Sequence, residues 1–253
     1  MLKYIRIAVL LVLGIIAFVL GMLMCAIRPF HPINTHLVSR FFLAPAARIL
    51  GLKVHIKYPE FLKGIKGAVY SCNHQSNWDI VALARCVLPR TIAIGKKSLV
   101  KTPLFGQIYW IAGNVRLNRD NKIEAMETMK KVSDDLRAGK YSVWIFPEGT
   151  RSLGKGLGKF KPGTVLTASE AGVPIVPIVA SSYYTDFDMN RWDNGHVVIE
   201  YQEPIEYREY DPKNRDDIKE VRLKTEELRN LYVAKIAELD ERAKQYATGE
   251  LKD

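Results

Sequence analysis

Two short segments hold the side chains whose types could do chemistry: Asn73-His74-Gln75-Ser76-Asn77-Trp78-Asp79 and Phe146-Pro147-Glu148-Gly149-Thr150-Arg151. The first offers an imidazole and a carboxylate to orient it; the second offers an arginine on a glycine turn. An imidazole with an ordinary pKa near ~6.5 is available as a base at physiological pH, and a carboxylate on its far nitrogen fixes the tautomer and supports the cation that forms. Gly149 permits positive φ and close backbone approach, Thr150 offers a hydroxyl, and Arg151 a planar fork suited to phosphate oxygens. Together these are the parts for activating a hydroxyl beside a phosphate.

The elements that position them follow from spacing. Five residues of helix rotate the side-chain direction by about 500°, leaving His74 and Asp79 roughly 140° apart on a helical wheel, so they cannot meet on one straight helix. The run from Gly67 to Cys72 reads as a buried strand and the run from Trp78 to Arg85 as a helix. His74 then sits in the turn between them, and Asp79 lies in the first helical turn, able to reach back to the imidazole. The ordinary alternative is a carboxylate favoured by the helix dipole beside a polar turn residue, with Arg151 a solvated arginine at a strand end.

Convergence along the chain argues against that alternative. Strands are expected at 67–72, 91–95, 114–117, 142–146 and 173–180, with helical patterns at 78–88 and 122–138. Such alternation predicts an α/β fold with a mainly parallel central sheet flanked by helices. The polar candidates then fall one after another at the carboxyl ends of strands: His74, Lys96 and Lys97, Arg119, and Glu148 to Arg151. That is the edge where open α/β sheets bind ligands.

These motifs resemble those of the 1-acyl-glycerol-3-phosphate acyltransferases (lysophosphatidic acid acyltransferases) of bacterial type. The resemblance is carried by His74 with Asp79, Leu117-Asn118-Arg119, Phe146 to Ser152 and Val173-Pro-Ile-Val-Pro-Ile178, with Gly95-Lys-Lys-Ser-Leu99 and Pro103-Leu-Phe-Gly106 beside them, over residues 50–205. It implies the glycerolipid acyltransferase fold. It also implies that His74 deprotonates the sn-2 hydroxyl of lysophosphatidic acid, which attacks the thioester of acyl carrier protein or coenzyme A to give phosphatidic acid in phospholipid biosynthesis. By the same carry-over Asp79 orients the histidine, and Glu148, Gly149, Thr150 and Arg151 hold the glycerol phosphate with Arg119 and one of Lys96 or Lys97. Pro174 belongs to the acyl-donor element. The thioester is a co-substrate, and no metal or prosthetic group is implied. Glycerol-3-phosphate and other lysophospholipid acyltransferases share the histidine and Glu-Gly-Thr-Arg elements; length and the Gly-Lys-Lys-Ser-Leu stretch favour lysophosphatidic acid.

Residues 7–27 carry no charged side chain and, as a helix, extend roughly 31 Å, enough to cross a bilayer core. Lys3 and Arg6 precede the run, and Arg28, Arg40 and Arg48 follow it. The basic excess downstream places the carboxyl side in the cytoplasm, so the expected location is the cell (inner) membrane with the catalytic domain on its cytoplasmic face. The run exceeds the usual signal-peptide core of about 7–15 residues and lacks a small-x-small cleavage site; Met24 before Cys25 argues against a lipoprotein. His31-Pro32 marks a break before an amphipathic candidate at Leu37 to Leu50. Whether the first segment spans or lies in the interface stays open.

The expected organisation is a membrane-anchoring region at 1–50, a catalytic domain at 51–210 and a charged amphipathic helix at 211–253. From residue 211 onward ten Lys and Arg face eleven Asp and Glu, a net of −1, so residues 1–210 carry +11 of the total +10. A basic body suits anionic membrane lipids and an acidic carrier protein. Nucleic acid is not expected as a partner: there is no zinc-ligand pattern, no basic region with heptads and no aromatic RNA-binding signature. A basic membrane-associated or nucleic-acid-binding protein without catalysis is the remaining alternative class.

The five histidines form no compact metal-ligand cluster, and three cysteines form no spaced framework. Cys72, two residues from His74, admits an acyl-thioester intermediate, though it sits in an apolar strand pattern. Gly154 to Gly163 reads as a mobile basic loop; it fails as a phosphate loop because only three residues separate Gly154 from Gly158 and Phe160 follows Lys159. The helical pattern from Asp216 to Tyr246 puts Ile218, Val221, Leu228, Leu231, Tyr232, Ile236 and Leu239 towards one side. Packing on the catalytic domain is expected for it, and oligomeric state is not encoded in any motif.

Overall fold

Apolar runs buried on both faces build parallel sheets, and two here set the centre of the molecule: β2 (Val69–Cys72) and β6 (Ile175–Ala180), every residue of which is buried. The computed structural model describes residues 1–211 and 213–252. Around the central strands lie β1 (Lys53–Lys57), β3 (Thr91–Lys96), β4 (Val115–Leu117), β5 (Ser142–Ile145) and β7 (His196–Tyr201). They form one seven-stranded sheet in the order β1-β7-β6-β2-β5-β3-β4. From β6 to β4 all neighbours are parallel; β7 is antiparallel to β6, and β1 is parallel to β7. The sheet is mixed and mostly parallel, as the alternation of elements predicts.

Among the described residues eight α-helices accompany it: α1 (Leu2–Ile27), α2 (Ile33–Val38), α3 (Ala46–Ile49), α4 (Asp79–Ala82), α5 (Phe105–Ile111), α6 (Lys122–Arg137), α7 (Gly163–Ala171) and α8 (Arg215–Thr248). One face of the sheet buries Tyr70, Cys72, Trp144 and Ile178 against Leu50, Val81 and Leu83. The other buries Val69, Val143 and Ile175 against Val132 and Leu136 of α6, Val165 of α7, and Leu228, Tyr232 and Leu239 of α8. Successive residues of β2 thus feed opposite cores, as the period of two requires.

Three expectations change. The helix expected at 78–88 is a single α-turn, α4, followed by a 3-10 turn at Ala84–Cys86. Val81, Ala82, Leu83, Ala84 and Cys86 are buried while Ile80 and Arg85 are exposed, so packing of the buried side sets the path, and Leu88 before Pro89 disfavours further helix. The amphipathic candidate at 37–50 is a chain of turns, α2, a π-helical Ser39–Leu43 and α3, with Pro45 at the start of the last. Strands β1 and β7 and helices α5 and α7 are additional to the expected elements; α7 is rich in small and β-branched residues buried nearly all round, which leaves little periodicity to read.

Helix α1 is apolar and largely exposed, but it is gripped near both ends. Arg6, only 3% exposed, donates to the carbonyls of Met189 (2.9 Å), Arg191 and Trp192 (3.1 Å). Near the other end Cys25 is fully buried in a cluster with Val38, Ile108 and Ala112. The two grips are roughly 28 Å apart at helical rise, so α1 runs alongside the α/β unit.

Helix α8 packs on the sheet through Val221, Leu228, Leu231, Tyr232, Ile236 and Leu239 of its expected apolar side, while Ile218 in its first turn is exposed. Tyr232 donates to the Ser71 carbonyl at 2.6 Å, Glu200 of β7 pairs with Lys235 at 2.9 Å and with Arg242, and the Tyr246 ring stacks on His55 of β1 at 3.8 Å.

Removing the Arg6 guanidinium deprives the partly buried carbonyls of Met189, Arg191 and Trp192 of a charged donor. Arg6→Met is expected to destabilise the detergent-solubilised protein by about 2 kcal/mol or more and to open residues 186–193 to limited proteolysis, checked by urea unfolding and peptide mapping.

Candidate active site

Three adjacent strands end at one place. His74 follows β2, Glu148 follows β5 on one side, and Ser181 to Tyr183 follow β6 on the other. Asn73 starts the turn with its side chain, which donates to the Ala180 carbonyl and accepts from the Ala180 amide, both at 2.9 Å. A side-chain amide thereby replaces a peptide group and continues the β2–β6 ladder while the main chain leaves it.

His74 Nδ1 lies 2.5 Å from Asp79 Oδ2, the reach back across the turn that the spacing predicts. A carboxylate only accepts, so Nδ1 carries the proton and Nε2 is the basic nitrogen. The imidazole stacks on Phe146 at 4.0 Å between centroids and 13° between planes, and it remains 21% exposed. Asp79 is buried, and its Oδ2 also accepts from the amides of Gln75 (2.7 Å) and Ser76 (3.1 Å).

Glu148 is buried and occupied: Oε1 accepts from the His74 amide at 2.7 Å and Oε2 from the Gly158 amide at 2.8 Å. Burial raises its pKa, opposed by those two amides. Both oxygens face backbone of this chain, so Glu148 sets the path of the histidine turn rather than presenting itself as a free ligand group. A Cβ at Gly158 would lie 2.8 Å from Oε2, which explains the glycine.

The turn that follows carries the cations. Gly149 has φ +67°, and a Cβ there would lie 3.0 Å from Lys161 Nζ, so that ammonium sits over the turn. Arg119 donates to the Gly149 carbonyl. Thr150 and Arg151 are exposed, and Arg151 makes no side-chain hydrogen bond or ion pair among the described residues. The amides of Ser152 and Leu153 bond the carbonyls of His74 and Gln75, both at 2.9 Å, so the arginine and the histidine leave one short backbone pairing. Lys97 is engaged by Glu124 at 2.7 Å, whereas Lys96 has Asp120 only at 4.0 Å. Of the two lysines, Lys96 is the less committed.

Pro174 is placed elsewhere. Its carbonyl accepts from Val69 at 2.9 Å, where β2 and β6 begin, roughly 15–20 Å from the site edge at strand rise. The segment 154–163 is tied down instead of loose: Glu148 holds Gly158, and Arg229 of α8 donates to the carbonyls of Gly158 (3.0 Å) and Leu157 (3.2 Å). Cys72 is fully buried, and that burial pushes its thiol well up, which removes the thiolate that an acyl-thioester intermediate needs. Among the described residues no three His, Cys, Asp or Glu could hold a metal ion.

Sequence reading passed over Lys161, Gln75 and Tyr183. Lys161 was visible only as one charge of a basic loop. Gln75 spans Ser181 and Tyr183, donating to one carbonyl at 2.7 Å and accepting from the other residue's amide at 3.1 Å, and Tyr183 donates to Asp79 Oδ1 at 2.5 Å. No spacing rule links positions 79 and 183.

Comparison with known proteins agrees with this geometry. Residues 53–181 match the Acyltransferase family model. The chain is 41% identical to the 1-acyl-sn-glycerol-3-phosphate acyltransferase of Haemophilus influenzae, over 95% of this chain and 98% of the relative. It is 38% identical to the protein of that name in Salmonella typhimurium and 36% to that in Escherichia coli, each over 99% of this chain and 100% of the relative. The crystal structure of the 1-acyl-sn-glycerophosphate acyltransferase from Thermotoga maritima superposes with a TM-score of 0.68 at 20% identity, covering 94% of this chain and 99% of that one, a likeness of fold. A histidine–aspartate pair beside a cationic glycine turn, on this sheet and with these full-length relatives, places the chain in the acyltransferase family, among the 1-acyl-sn-glycerol-3-phosphate acyltransferases.

Proposed function

We propose that this enzyme transfers a fatty acyl group from acyl-CoA or acyl carrier protein to the sn-2 hydroxyl of 1-acyl-glycerol 3-phosphate, giving phosphatidic acid for phospholipid biosynthesis. The observation that carries the reading is the backbone pairing of His74 and Gln75 with Ser152 and Leu153, which sets the base beside the exposed Arg151. The acceptor's phosphate lies against Arg151, Lys161, Arg119 and Lys96, with Thr150 as a hydroxyl partner. This fixes the hydroxyl relative to His74 Nε2.

Nε2 takes the hydroxyl proton as the oxygen attacks the thioester carbonyl carbon, and Asp79 stabilises the imidazolium. The carbon–sulfur bond then breaks, and the imidazolium returns its proton to the departing thiolate. Both substrates react directly, without a resident metal or prosthetic group. Glu148 acts from behind by holding the His74 amide, and Pro174 acts at the far end of the sheet, where its carbonyl helps to join β6 to β2.

The location proposed is the cytoplasmic face of the cell (inner) membrane. The grips at Arg6 and Cys25 support an α1 that lies along the interface, because both its ends stay with the catalytic unit.

The test is acyl transfer by the detergent-purified chain, with lysophosphatidic acid, glycerol 3-phosphate and lysophosphatidylcholine offered in parallel. Product from the first alone is expected; preference for another moves the enzyme within the class, and transfer to none would refute the reading. His74→Ala should lower kcat by roughly 10²–10⁴-fold while the fold, followed by circular dichroism, is retained. Arg151→Ala should raise KM for phosphate-monoester acceptors far more than KM for the thioester. Glu148→Gln, which faces an amide N–H with an NH2, should lower kcat by roughly 10–100-fold through misplacement of the base, with acceptor KM changed little.

A further inference from the structure

Asp79 is only 3% exposed, and its two oxygens are used unequally. Oδ2 already serves His74 Nδ1 and two backbone amides. Oδ1 receives one donor among the described residues, the Tyr183 hydroxyl at 2.5 Å. The terminal torsion of an aspartate is broad and two-fold, so a donor on Oδ1 determines how squarely Oδ2 faces the imidazole.

The hydroxyl itself is directed. Ser76 Oγ accepts from the Trp78 amide at 2.9 Å and lies 2.9 Å from the Tyr183 oxygen. With the tyrosine proton committed to Asp79, the serine proton must go to the tyrosine oxygen. The result is a one-way chain from the Trp78 amide through Ser76 and Tyr183 to Asp79, and such chains strengthen each member. Burial and the adjacent Asp79 charge push the Tyr183 phenol far above its ordinary value, so it stays a donor.

The backbone that carries Tyr183 is clamped from two sides. Gln75 holds Ser181 and Tyr183, while Asp240 of α8 accepts from the Ser182 amide at 2.5 Å and its hydroxyl at 3.0 Å. Both Tyr183 and Asp240 lie beyond the family-matched segment, which ends at residue 181.

We infer that Tyr183 is a positioning residue for the transfer: its hydroxyl orients Asp79, and through it His74, and Asp240 of α8 holds Tyr183 in register. The inference rests on His74 being the base of the acyl transfer proposed above. A buried tyrosine that merely fills the core would also find a hydrogen-bond partner, so the test must read the imidazole and not only the fold.

Tyr183→Phe keeps the ring and removes the donor. Without it, more of the carboxylate's negative charge faces the imidazole and favours the imidazolium, so the acid limb of the kcat/KM profile should move to higher pH. In the same variant kcat at the plateau should fall roughly 10–100-fold from misorientation, with acceptor KM unchanged because Tyr183 is buried behind Asp79. The other titratable groups facing the pair are Glu148 from the turn after β5 and Cys72 from β2; both are present in either protein.

Should the phenylalanine variant fold poorly, 3-fluorotyrosine at 183 keeps ring and hydroxyl while strengthening the donor, and should move the limb the opposite way. Wild-type transfer with opposite shifts in the two variants supports the inference. Wild-type transfer with neither limb moved overturns it and leaves the acyltransferase reading intact. Absence of transfer by the wild type overturns that reading, and the positioning role with it.

Discussion

A buried carboxylate must be surrounded by donors, and the rest of this structure is arranged to surround Asp79. An unpaired charge there would cost several kcal/mol. Four donors meet the demand: one imidazole, two amides from the turn before α4 and one phenol from the strand end across it. Satisfying the charge therefore requires the turn after β2, the start of α4 and the end of β6 to converge. The carboxylate that supports the base is also the knot that ties three segments together.

A second buried carboxylate repeats the pattern on the other side. Glu148 joins the histidine turn to the loop at Gly158, and Arg229 ties that loop to α8. Helix α8 thus reaches the site by several routes: Arg229 to the loop, Tyr232 to the end of β2 and Asp240 to the end of β6. A helix with an ordinary amphipathic pattern serves as the rear wall of the site, with side chains committed to the protein's own backbone.

Much of this was legible in the sequence, and the physical reason is locality. Strands β2, β5 and β6 are readable because buried parallel strands are apolar runs bounded by turn residues, whereas β3 and the short β4 are marked more by the glycine and charges around them. His74 and Asp79 were readable because five residues of spacing admit one simple geometry, a turn leading into a helix. Arg119, Lys96 and Arg151 were readable as cations after strands. What was hidden depends on contacts between distant segments. Tyr183 meets Asp79 only because β6 lies beside β2, and Lys161 reaches Gly149 only because its loop folds back. Glu148 enters the phosphate set only through the resemblance, and the burial that commits both its oxygens to backbone has no local signature. The edge strand β1 and its neighbour β7 escape a reading of the sequence although His196-Val-Val-Ile-Glu-Tyr201 is rich in β-formers; the pair runs against the direction of the other five.

The amide of Asn73 has a consequence for how substitutions at this site would read. It gives one hydrogen bond and takes one from the same residue, Ala180, acting as a surrogate peptide unit at the point where the chain departs from the sheet. Aspartate lacks the donor, glutamine adds a methylene that overshoots the ladder, and alanine leaves both Ala180 groups unpaired on that side. The position is chemically locked by its burial and by the two bonds to Ala180. Intolerance at residue 73 would look like catalysis in a mutational scan, yet it would report carpentry: a joint whose shape decides where the neighbouring histidine points.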